Sequence, residues 1–228
     1  KIIQYFIAKL ILNFLFFFKF LYLKKKSLSL LYWESAESYN WHKNSKSVDG
    51  IINSKNKLIF EKTKNFLKKK KSFYFIDIGC GFGDYLNLIS KENLIGLDLS
   101  KKVLNEAKTK YPNIKFFQGT LRDNMLEINK LIKNDIVIFN YIKTLKHLDR
   151  KMILNEFLIL KKLNFKRKYL IINDLQISEN LISKKIDNFT YHHNYSKIIK
   201  DFGFQIIYKN VEITKMGNQN VSMIVKII

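Results

Sequence analysis

The chain is nearly devoid of cysteine and proline, with one of each among 228 residues. A single cysteine excludes an internal disulfide framework and any zinc site built on several cysteine ligands, and we predict no metal site. It also favours a reducing, cytoplasmic compartment. The lone proline excludes proline-rich linkers and collagen-like repeats. Hydrophobic residues make up 47% of the chain, which is enough to bury a core and excludes wholesale disorder.

Acidic residues are also scarce, because 19 Asp and Glu face 41 Lys and Arg and leave a formal net charge of +22. Three interpretations of this charge stay open: the composition of an AT-rich bacterial genome, attraction to anionic lipid headgroups, or attraction to nucleic acid. Only three of the basic residues are arginines, at positions 122, 150 and 167. Specific reading of phosphates and bases favours arginine, so nucleic acid is the least expected partner.

Residues 1–23 form the longest apolar stretch, but Lys9 and Asn13 interrupt it near the middle. At 100° per residue, most of the polar residues fall on one broad side and a large aliphatic and aromatic face lies opposite, as in a basic amphipathic helix. Three alternatives remain: an interfacial anchor, a helix packed on the domain or on a second subunit, and a true span. We expect residues 1–26 to lie on an anionic membrane surface.

From about residue 50 onward, short apolar runs alternate with helical patterns. This alternation predicts a doubly wound α/β domain over 31–228, after an N-terminal helix over 1–30. Its sheet is expected to be mostly parallel and seven-stranded, and a short final turn makes a C-terminal strand antiparallel. The predicted strands are 73–78, 94–99, 114–118, 135–140, 169–173, 204–213 and 221–228. The predicted helices are 51–70, 84–91, 101–110, 125–133, 147–163 and 196–201.

A glycine-rich turn, Asp77-Ile78-Gly79-Cys80-Gly81-Phe82-Gly83, follows the first buried strand directly and precedes a helix. Glycines at alternating positions tolerate positive φ and let a ligand approach the backbone, and the helix N-terminus offers free N–H donors. The dinucleotide fingerprint needs a third glycine where this chain has Asp84. A nicotinamide dinucleotide is therefore disfavoured.

The pattern D-x-G-x-G-x-G after a strand resembles the first motif of class I S-adenosylmethionine-dependent methyltransferases. The resemblance implies a Rossmann-like methyltransferase fold with S-adenosylmethionine as the cofactor. It places the methionine end of the cofactor at Asp77, Gly79, Gly81 and Gly83. It places the ribose hydroxyls at Asp98, at the end of the second strand; a carboxylate can accept both hydroxyl hydrogens of a diol. A simple turn residue is the alternative for Asp98.

The resemblance covers 31–228 and extends the expected cofactor site to Leu99, Thr120, Leu121 and Asn140. Thr120 stands where family members commonly have an acidic residue near the adenine amine. Thr120, Leu121 or Asp123 are the alternatives for that contact.

Two histidines are candidates for a general base that removes a proton from an oxygen acceptor. His147 precedes the helix after the fourth strand, and two extra residues lie between it and Asn140 compared with the family pattern. His193 ends a long segment after the fifth strand, a place where loops often carry function. For both, a surface position without function is the alternative. The aromatic segment 31–43, with Trp33, Tyr39 and Trp41, is expected to cap the substrate or simply to pack on the domain.

These features predict an S-adenosylmethionine-dependent methyltransferase that modifies an oxygen of a small-molecule, lipid-linked or glycan-linked acceptor. No proline follows Asn140, which disfavours methylation of base amino groups, and Cys80 lies in the glycine turn rather than after the fourth strand, which disfavours cytosine-ring methylation. The basic start of the chain favours a cytoplasmic protein bound peripherally to the inner face of a membrane. The alternatives are an RNA methyltransferase and a non-catalytic binding protein of the same fold. The oligomeric state is left open.

Overall fold

The computed structural model describes residues 28–35, 39–40, 43, 57–89, 93–132, 136–177, 182–186, 190–214 and 217–228. Nearly all of the predicted N-terminal helix over 1–30 lies outside these ranges, so its placement on a membrane stays a prediction. Within the described ranges, no helix combines the length and the apolar character that crossing a bilayer requires.

Helices and strands alternate through the described chain, as the sequence pattern predicts. The helices are α1 (Leu28–Glu34), α2 (Lys57–Lys68), α3 (Asp84–Ile89), α4 (Lys101–Lys110), α5 (Leu121–Leu131), α6 (Arg150–Lys162) and α7 (Tyr195–Asp201), with a 3-10 turn at Leu145–His147. The strands are β1 (Tyr74–Ile78), β2 (Leu94–Asp98), β3 (Lys115–Gln118), β4 (Ile136–Ile142), β5 (Arg167–Gln176), β6 (Ser183–Lys185), β7 (Tyr191–His193), β8 (Gln205–Ile213) and β9 (Gln219–Ile227).

The sheet runs in the order β3-β2-β1-β4-β5, all parallel, and continues from β5 into antiparallel β9 and then β8. The strand order reverses between β1 and β4, which is where an open α/β sheet forms a crevice at the carboxyl ends of its strands. The predicted seven-stranded sheet with an antiparallel C-terminal strand is confirmed for these seven strands.

A short hairpin, β6–β7, adds two strands that the sequence pattern does not predict. It joins β5 through the pair Gln176–His193, beyond the last β4–β5 pair, Ile142–Asn173. Each strand has only three residues, too few for an alternating pattern to be recognised. The segment expected to be a loop therefore carries the sheet past the end of β4.

Core side chains lie on both faces of the sheet, because successive side chains of each buried strand point to opposite faces. On β1, Ile76 packs on the face covered by α5, α6 and α7, whereas Phe75 packs on the face covered by α2, α3 and α4. Both side chains are fully buried. Packing on both faces holds β1, β2 and β4 side by side, so their carboxyl ends meet at the same edge of the sheet, at the crevice.

Two predicted helix starts are wrong, and the capping residues explain both. The predicted helix over 147–163 begins only at Arg150, because the Asp149 side chain accepts a hydrogen bond from the Met152 N–H at 2.8 Å. The helix predicted from residue 125 begins at Leu121, because Thr120 and Asp123 form a capping box.

Candidate active site

The glycine turn after β1 is tied to the end of β2 by backbone hydrogen bonds. The N–H groups of Gly79 and Cys80 donate to the Leu97 carbonyl at 2.8 and 2.9 Å. Gly79, Gly81 and Gly83 have φ of 78°, 55° and 79°, in the left-handed region that favours glycine. The positive φ expected of this turn is therefore present at all three glycines.

Gly79 also leaves room for a side chain from the loop after β4. A Cβ atom at Gly79 would lie 2.4 Å from Thr144 Oγ1, and that hydroxyl donates to the Ile78 carbonyl at 2.9 Å. Lys143, just before Thr144, has a φ of 59°. The left-handed bend at Lys143 thus places Thr144 on the glycine turn.

Gly83 has a packing role at the start of α3. Gly83 directly precedes α3, and a Cβ atom added to it would lie 2.7 Å from the ring of Phe116 on β3. Gly83 is not among the described residues that line the crevice, whereas Gly79 and Gly81 are. The third glycine lets the helix approach β3 closely.

Asp98 links the end of β2 to the glycine turn through its carboxylate. Its Oδ2 accepts from the Gly81 N–H at 3.0 Å, and its Oδ1 accepts from the Ser100 N–H at 2.9 Å. The side chain is 7% exposed and lines the crevice. Each carboxylate oxygen has a second lone pair, so both can still accept a hydroxyl hydrogen from a diol.

Asp77 lies beneath the turn, paired with Asn140 across β1 and β4. The Asn140 amide donates to Asp77 Oδ1 at 2.7 Å, and Asn140 is fully buried below the crevice rather than in its lining. Burial, together with the charge of nearby Asp98, raises the pKa of Asp77 to about 7 even though the hydrogen bond from Asn140 lowers it. A cationic ligand group would favour the ionised form of Asp77.

The raised pKa of Asp77 predicts that the ligand-free protein loses stability as pH rises. The folded pKa of about 7 exceeds the unfolded value of 3.8, so the contribution is complete below about pH 4 and is lost as pH passes through 7. This difference between the folded and unfolded pKa of Asp77 corresponds to at most about 4 kcal/mol of folding free energy. The variant Asp77→Asn keeps the hydrogen bond from Asn140 and is expected to gain stability relative to wild type between pH 5 and 8.

Thermal unfolding of both proteins across this range measures the effect as a difference, which cancels the titration of other buried acids. Asp201→Asn, at an exposed position at the end of α7, serves as the control. Parallel curves for wild type and Asp77→Asn would contradict the assigned pKa.

A cavity of about 650 Å³ opens at the carboxyl ends of β1, β2 and β4. It brings together seven of the predicted site residues: Asp77, Gly79, Gly81, Asp98, Leu99, Thr120 and His147. Sequence reasoning did not select Thr144, Arg122, Tyr141, Glu156, Lys143 or Lys146, which also line it. The predicted cofactor residues therefore share one larger pocket with these further residues.

The end of β3 presents Thr120 to the cavity but not Leu121. The Thr120 N–H and hydroxyl both donate to Asp123 Oδ2, at 2.9 and 2.8 Å, so the hydroxyl hydrogen is used within the capping box. The Leu121 side chain is fully buried in the core and does not belong to the described cavity lining. Its predicted side-chain contact with a cofactor is not supported by this position.

The two candidate histidines occupy different environments. His147 lines the cavity, and its ring lies edge-on to Trp33 with centroids 4.7 Å apart. His193 is fully buried outside the described cavity lining, and burial lowers its pKa to about 4. Its Nε2 lies 3.2 and 2.9 Å from the carbonyls of Leu145 and Leu148.

Because carbonyls only accept, the His193 Nε2 must carry the hydrogen, and Nδ1 accepts from the Ser183 hydroxyl at 2.6 Å. Both ring nitrogens are thus occupied in holding the turn before α6. Of the two candidates, His147 lines the described cavity and His193 does not.

Within the described part of the segment 31–43, Trp33 and Glu34 line the cavity. Trp33 lines it, beside His147. Tyr39 instead packs edge-on to Phe82 at 6.1 Å, and its hydroxyl donates to Glu106 on α4. Trp41 lies outside the described residues. Tyr39 is therefore held between the glycine turn and α4.

A buried acid lies deeper in the cavity, on α6. The Tyr141 hydroxyl donates to Glu156 Oε1 at 2.5 Å, and burial raises the pKa of Glu156. The sequence contains a signal for this site, because Glu156 falls in the otherwise apolar stripe of Ile153, Phe157 and Leu160. A charged residue in such a stripe indicates either a buried partner or a ligand.

The residues at this site fit S-adenosylmethionine. Asp98 offers two acceptor oxygens to a ribose diol, and Asp77 offers a carboxyl group whose ionised form a sulfonium or ammonium group would stabilise. Gly79 and Gly81 expose backbone to the cavity at positions where a side chain would be strained. When bound, the cofactor would be held by these four residues.

Comparison with known proteins agrees with this geometry. Residues 69–224 match the family model described as "Methyltransferase domain". The chain is 31% identical over 186 residues to an uncharacterized protein of Methanocaldococcus jannaschii, covering 78% of this chain and 74% of that protein. It is 32% identical over 81 residues to the ubiquinone/menaquinone biosynthesis C-methyltransferase UbiE of Campylobacter jejuni, covering 32% of this chain and 33% of that enzyme.

Solved structures share the fold at low sequence identity. A SAM-dependent methyltransferase of Anabaena variabilis superposes with a TM-score of 0.61 at 17% identity, covering 87% of this chain and 95% of that one. Magnesium protoporphyrin IX methyltransferase of Synechocystis, with bound SAH, gives a TM-score of 0.56 at 18% identity, covering 85% and 96%. The predicted Rossmann-like fold is confirmed.

Proposed function

The chain belongs to the class I S-adenosylmethionine-dependent methyltransferases, and from this we propose that it methylates an oxygen atom of a small-molecule, lipid-linked or glycan-linked acceptor at the inner face of a membrane. One observation carries the proposal: His147 lines the same cavity as Asp77, Gly79 and Asp98. A side chain of the type that serves as a general base thus shares the cavity with the cofactor residues.

The cofactor supplies a methyl group on a sulfonium, which is its own leaving group. The protein therefore has two tasks, to align the acceptor and to remove the acceptor's proton. Trp33 packs edge-on against the His147 ring, which restricts its orientation. Lys143 and Lys146 also line the cavity and favour an acceptor that carries negative charge or develops it on losing a proton.

The membrane part of the proposal rests on the sequence. Residues 1–26 combine an apolar face with lysines, and the whole chain carries a net charge of +22. A basic amphipathic segment of this kind associates with anionic lipid surfaces. An acceptor embedded in the membrane would then be met at the surface where the enzyme is held.

His147→Ala and His147→Gln are expected to lower turnover about 100-fold, the usual contribution of a general base, without weakening cofactor binding. The assay follows transfer from methyl-¹³C-labelled S-adenosylmethionine to phenolic, sugar and lipid-linked hydroxyl acceptors. The chemical shift of the product distinguishes O-methyl from N-methyl and C-methyl. His193→Ala is expected instead to lower stability, because it removes the ring donor to the Leu148 carbonyl and leaves the Leu145 carbonyl with only the Leu148 N–H.

Anionic vesicles added to the same assay test whether a membrane surface promotes turnover. Vesicles are expected to raise turnover of lipid-linked acceptors by the full chain but not by a chain lacking residues 1–26. Label appearing on carbon or nitrogen, label incorporated into added RNA, or full turnover by His147→Ala would each contradict the proposed function.

A further inference from the structure

The β8 strand is an edge of the sheet and carries exposed aliphatic side chains. Within the described residues, β8 pairs only with β9, so one row of its backbone hydrogen-bonding groups has no strand partner. Nine large hydrophobic side chains are exposed in the described part of the chain, and four of them belong to this strand: Ile206, Ile207, Val211 and Ile213. Apolar side chains concentrated at an exposed edge indicate a contact with another surface.

The exposed side chains of β8 border helix α7. Val211 lies opposite Val221 of β9, which belongs to the core on the face covered by α6 and α7. Lys209 and Ile213, two residues away on either side, point to the same face. The Lys209 ammonium donates to Ser196 Oγ on α7 at 2.8 Å. This strip therefore combines aliphatic side chains with a lysine.

Cations outnumber acids around this strip. The charged residues of α7, β8 and β9 are four lysines and two acids: Lys197, Lys200, Lys209, Lys226, Asp201 and Glu212. Glu212 accepts a hydrogen bond from the Asn210 amide at 3.1 Å. From α2, the Lys62 ammonium lies 5.6 Å from the centroid of the Tyr208 ring. The aliphatic strip is therefore flanked by lysines on both faces of the sheet.

Pairing of β8 with the β8 strand of a second copy is disfavoured by features of the strand itself. Lys209 is its central residue, so a two-fold antiparallel pairing along the whole strand places two lysines opposite each other. A register shift between Ile206 and Tyr208 also bends the strand, and bulges of this kind oppose edge-to-edge pairing. The net charge of +22 adds repulsion between copies. The same lysines attract an anionic surface.

We propose that the β8 edge is a second membrane contact, at which its aliphatic side chains enter an anionic lipid surface and the neighbouring lysines meet the headgroups. The inference rests on the membrane location in the proposed function, and it assigns part of the binding to the folded domain rather than to residues 1–26. Lysine stems can lie along the apolar boundary while their ammonium groups stay among the headgroups. An open sheet edge needs polar partners for its backbone, so β8 lies at the headgroup level and only its side chains go deeper.

This contact places the crevice edge of the sheet beside the lipid. Gln219 of β9 pairs on one side with Gln176, at the carboxyl end of β5, and on the other side with Ile213. Ile213 is 65% exposed, the most of the four aliphatic residues of β8. The most apolar end of the strip therefore lies at the same edge of the sheet as the cofactor residues.

The test attaches an environment-sensitive NBD fluorophore to single cysteines introduced into the full chain. Ile207→Cys and Ile213→Cys report on β8, and Leu126→Cys, at an exposed leucine of α5, is the matched control. Wild type gives the labelling background, because its one cysteine, Cys80, is buried. When phosphatidylglycerol-rich vesicles are added, the two β8 labels are expected to shift to shorter emission wavelengths and to be quenched by spin-labelled lipid. The α5 label is expected to do neither.

The double variant Ile207→Ser/Ile213→Ser is expected to lower the partition coefficient on these vesicles about 10-fold, and Leu126→Ser by less than about twofold. Thermal unfolding confirms that each variant is folded. These readouts use no acceptor, so failure of the proposed O-methylation leaves them unchanged.

Three outcomes would overturn the inference. If the full chain binds the vesicles while the β8 labels stay unshifted, the membrane location stands and the β8 contact does not. If the full chain binds no vesicles, both are overturned. If the β8 labels shift without vesicles and the shift grows with protein concentration, the edge pairs with a second copy instead.

Discussion

Asp98→Asn is expected to weaken binding of S-adenosylhomocysteine about 100-fold or more. The carboxylate would accept two hydroxyl hydrogens from the ribose, and hydrogen bonds to a charged group contribute about 1.5–3 kcal/mol each. The substitution also turns an amide hydrogen toward the N–H of Gly81 or of Ser100, where the carboxylate now accepts. The loss therefore includes both the ligand contact and the anchor of the glycine turn.

Calorimetric titration of wild type and Asp98→Asn measures this loss, with Asp201→Asn as an exposed control. A second effect is expected in the same variant. Asp98 contributes to the raised pKa of Asp77, so its removal should shift the pH-dependent loss of stability toward lower pH. A dissociation constant within threefold of wild type would remove Asp98 from the cofactor site.

Gly79→Ala is expected to lower the free energy of unfolding by about 2–4 kcal/mol and to weaken cofactor binding by more than about 10-fold. A φ of 78° costs a non-glycine residue about 1–2 kcal/mol. The new Cβ would also lie 2.4 Å from Thr144 Oγ1, so Thr144 must move and give up its hydrogen bond to Ile78. Chemical denaturation and calorimetry measure the two effects.

Gly203→Ala is the matched control, because Gly203 has a φ of 73° but nothing within 4 Å of its added Cβ. It should show the conformational cost alone. Thr144→Ala removes the two closest atoms, so the double variant Gly79→Ala/Thr144→Ala should be less destabilised than the sum of the single variants. Strict additivity would contradict the contact between the two loops.

The part of the site made by strand ends is largely predictable from the sequence. A buried apolar run followed by closely spaced glycines determines both β1 and its turn, because few other residues tolerate those φ values. Asp98 is predictable for the same reason, because it ends the next buried strand, β2. In both cases local chemistry and the position at the crevice agree, and the structure brings Asp77, Gly81 and Asp98 together.

The acceptor side is predicted less well, because its residues are brought together by tertiary contacts. Thr144 reaches Gly79 only through the left-handed bend at Lys143, for which a lysine carries no signal. His193 looks like a catalytic residue in a loop, yet a three-residue strand buries it against the carbonyls before α6. The position of Glu156 is visible as a polar break in an apolar stripe, but its partner Tyr141 is not.

The hydrogen bond from the Gly81 N–H to Asp98 has a consequence for how the cofactor is captured. This bond fixes the glycine turn through contacts of the protein itself, so association with the cofactor need not freeze a mobile segment. Preorganisation of this kind lowers the entropic penalty of binding and makes encounter resemble docking to a rigid receptor. Selectivity between donor nucleosides then depends on mismatched contacts that speed dissociation, rather than on slow rearrangement before capture.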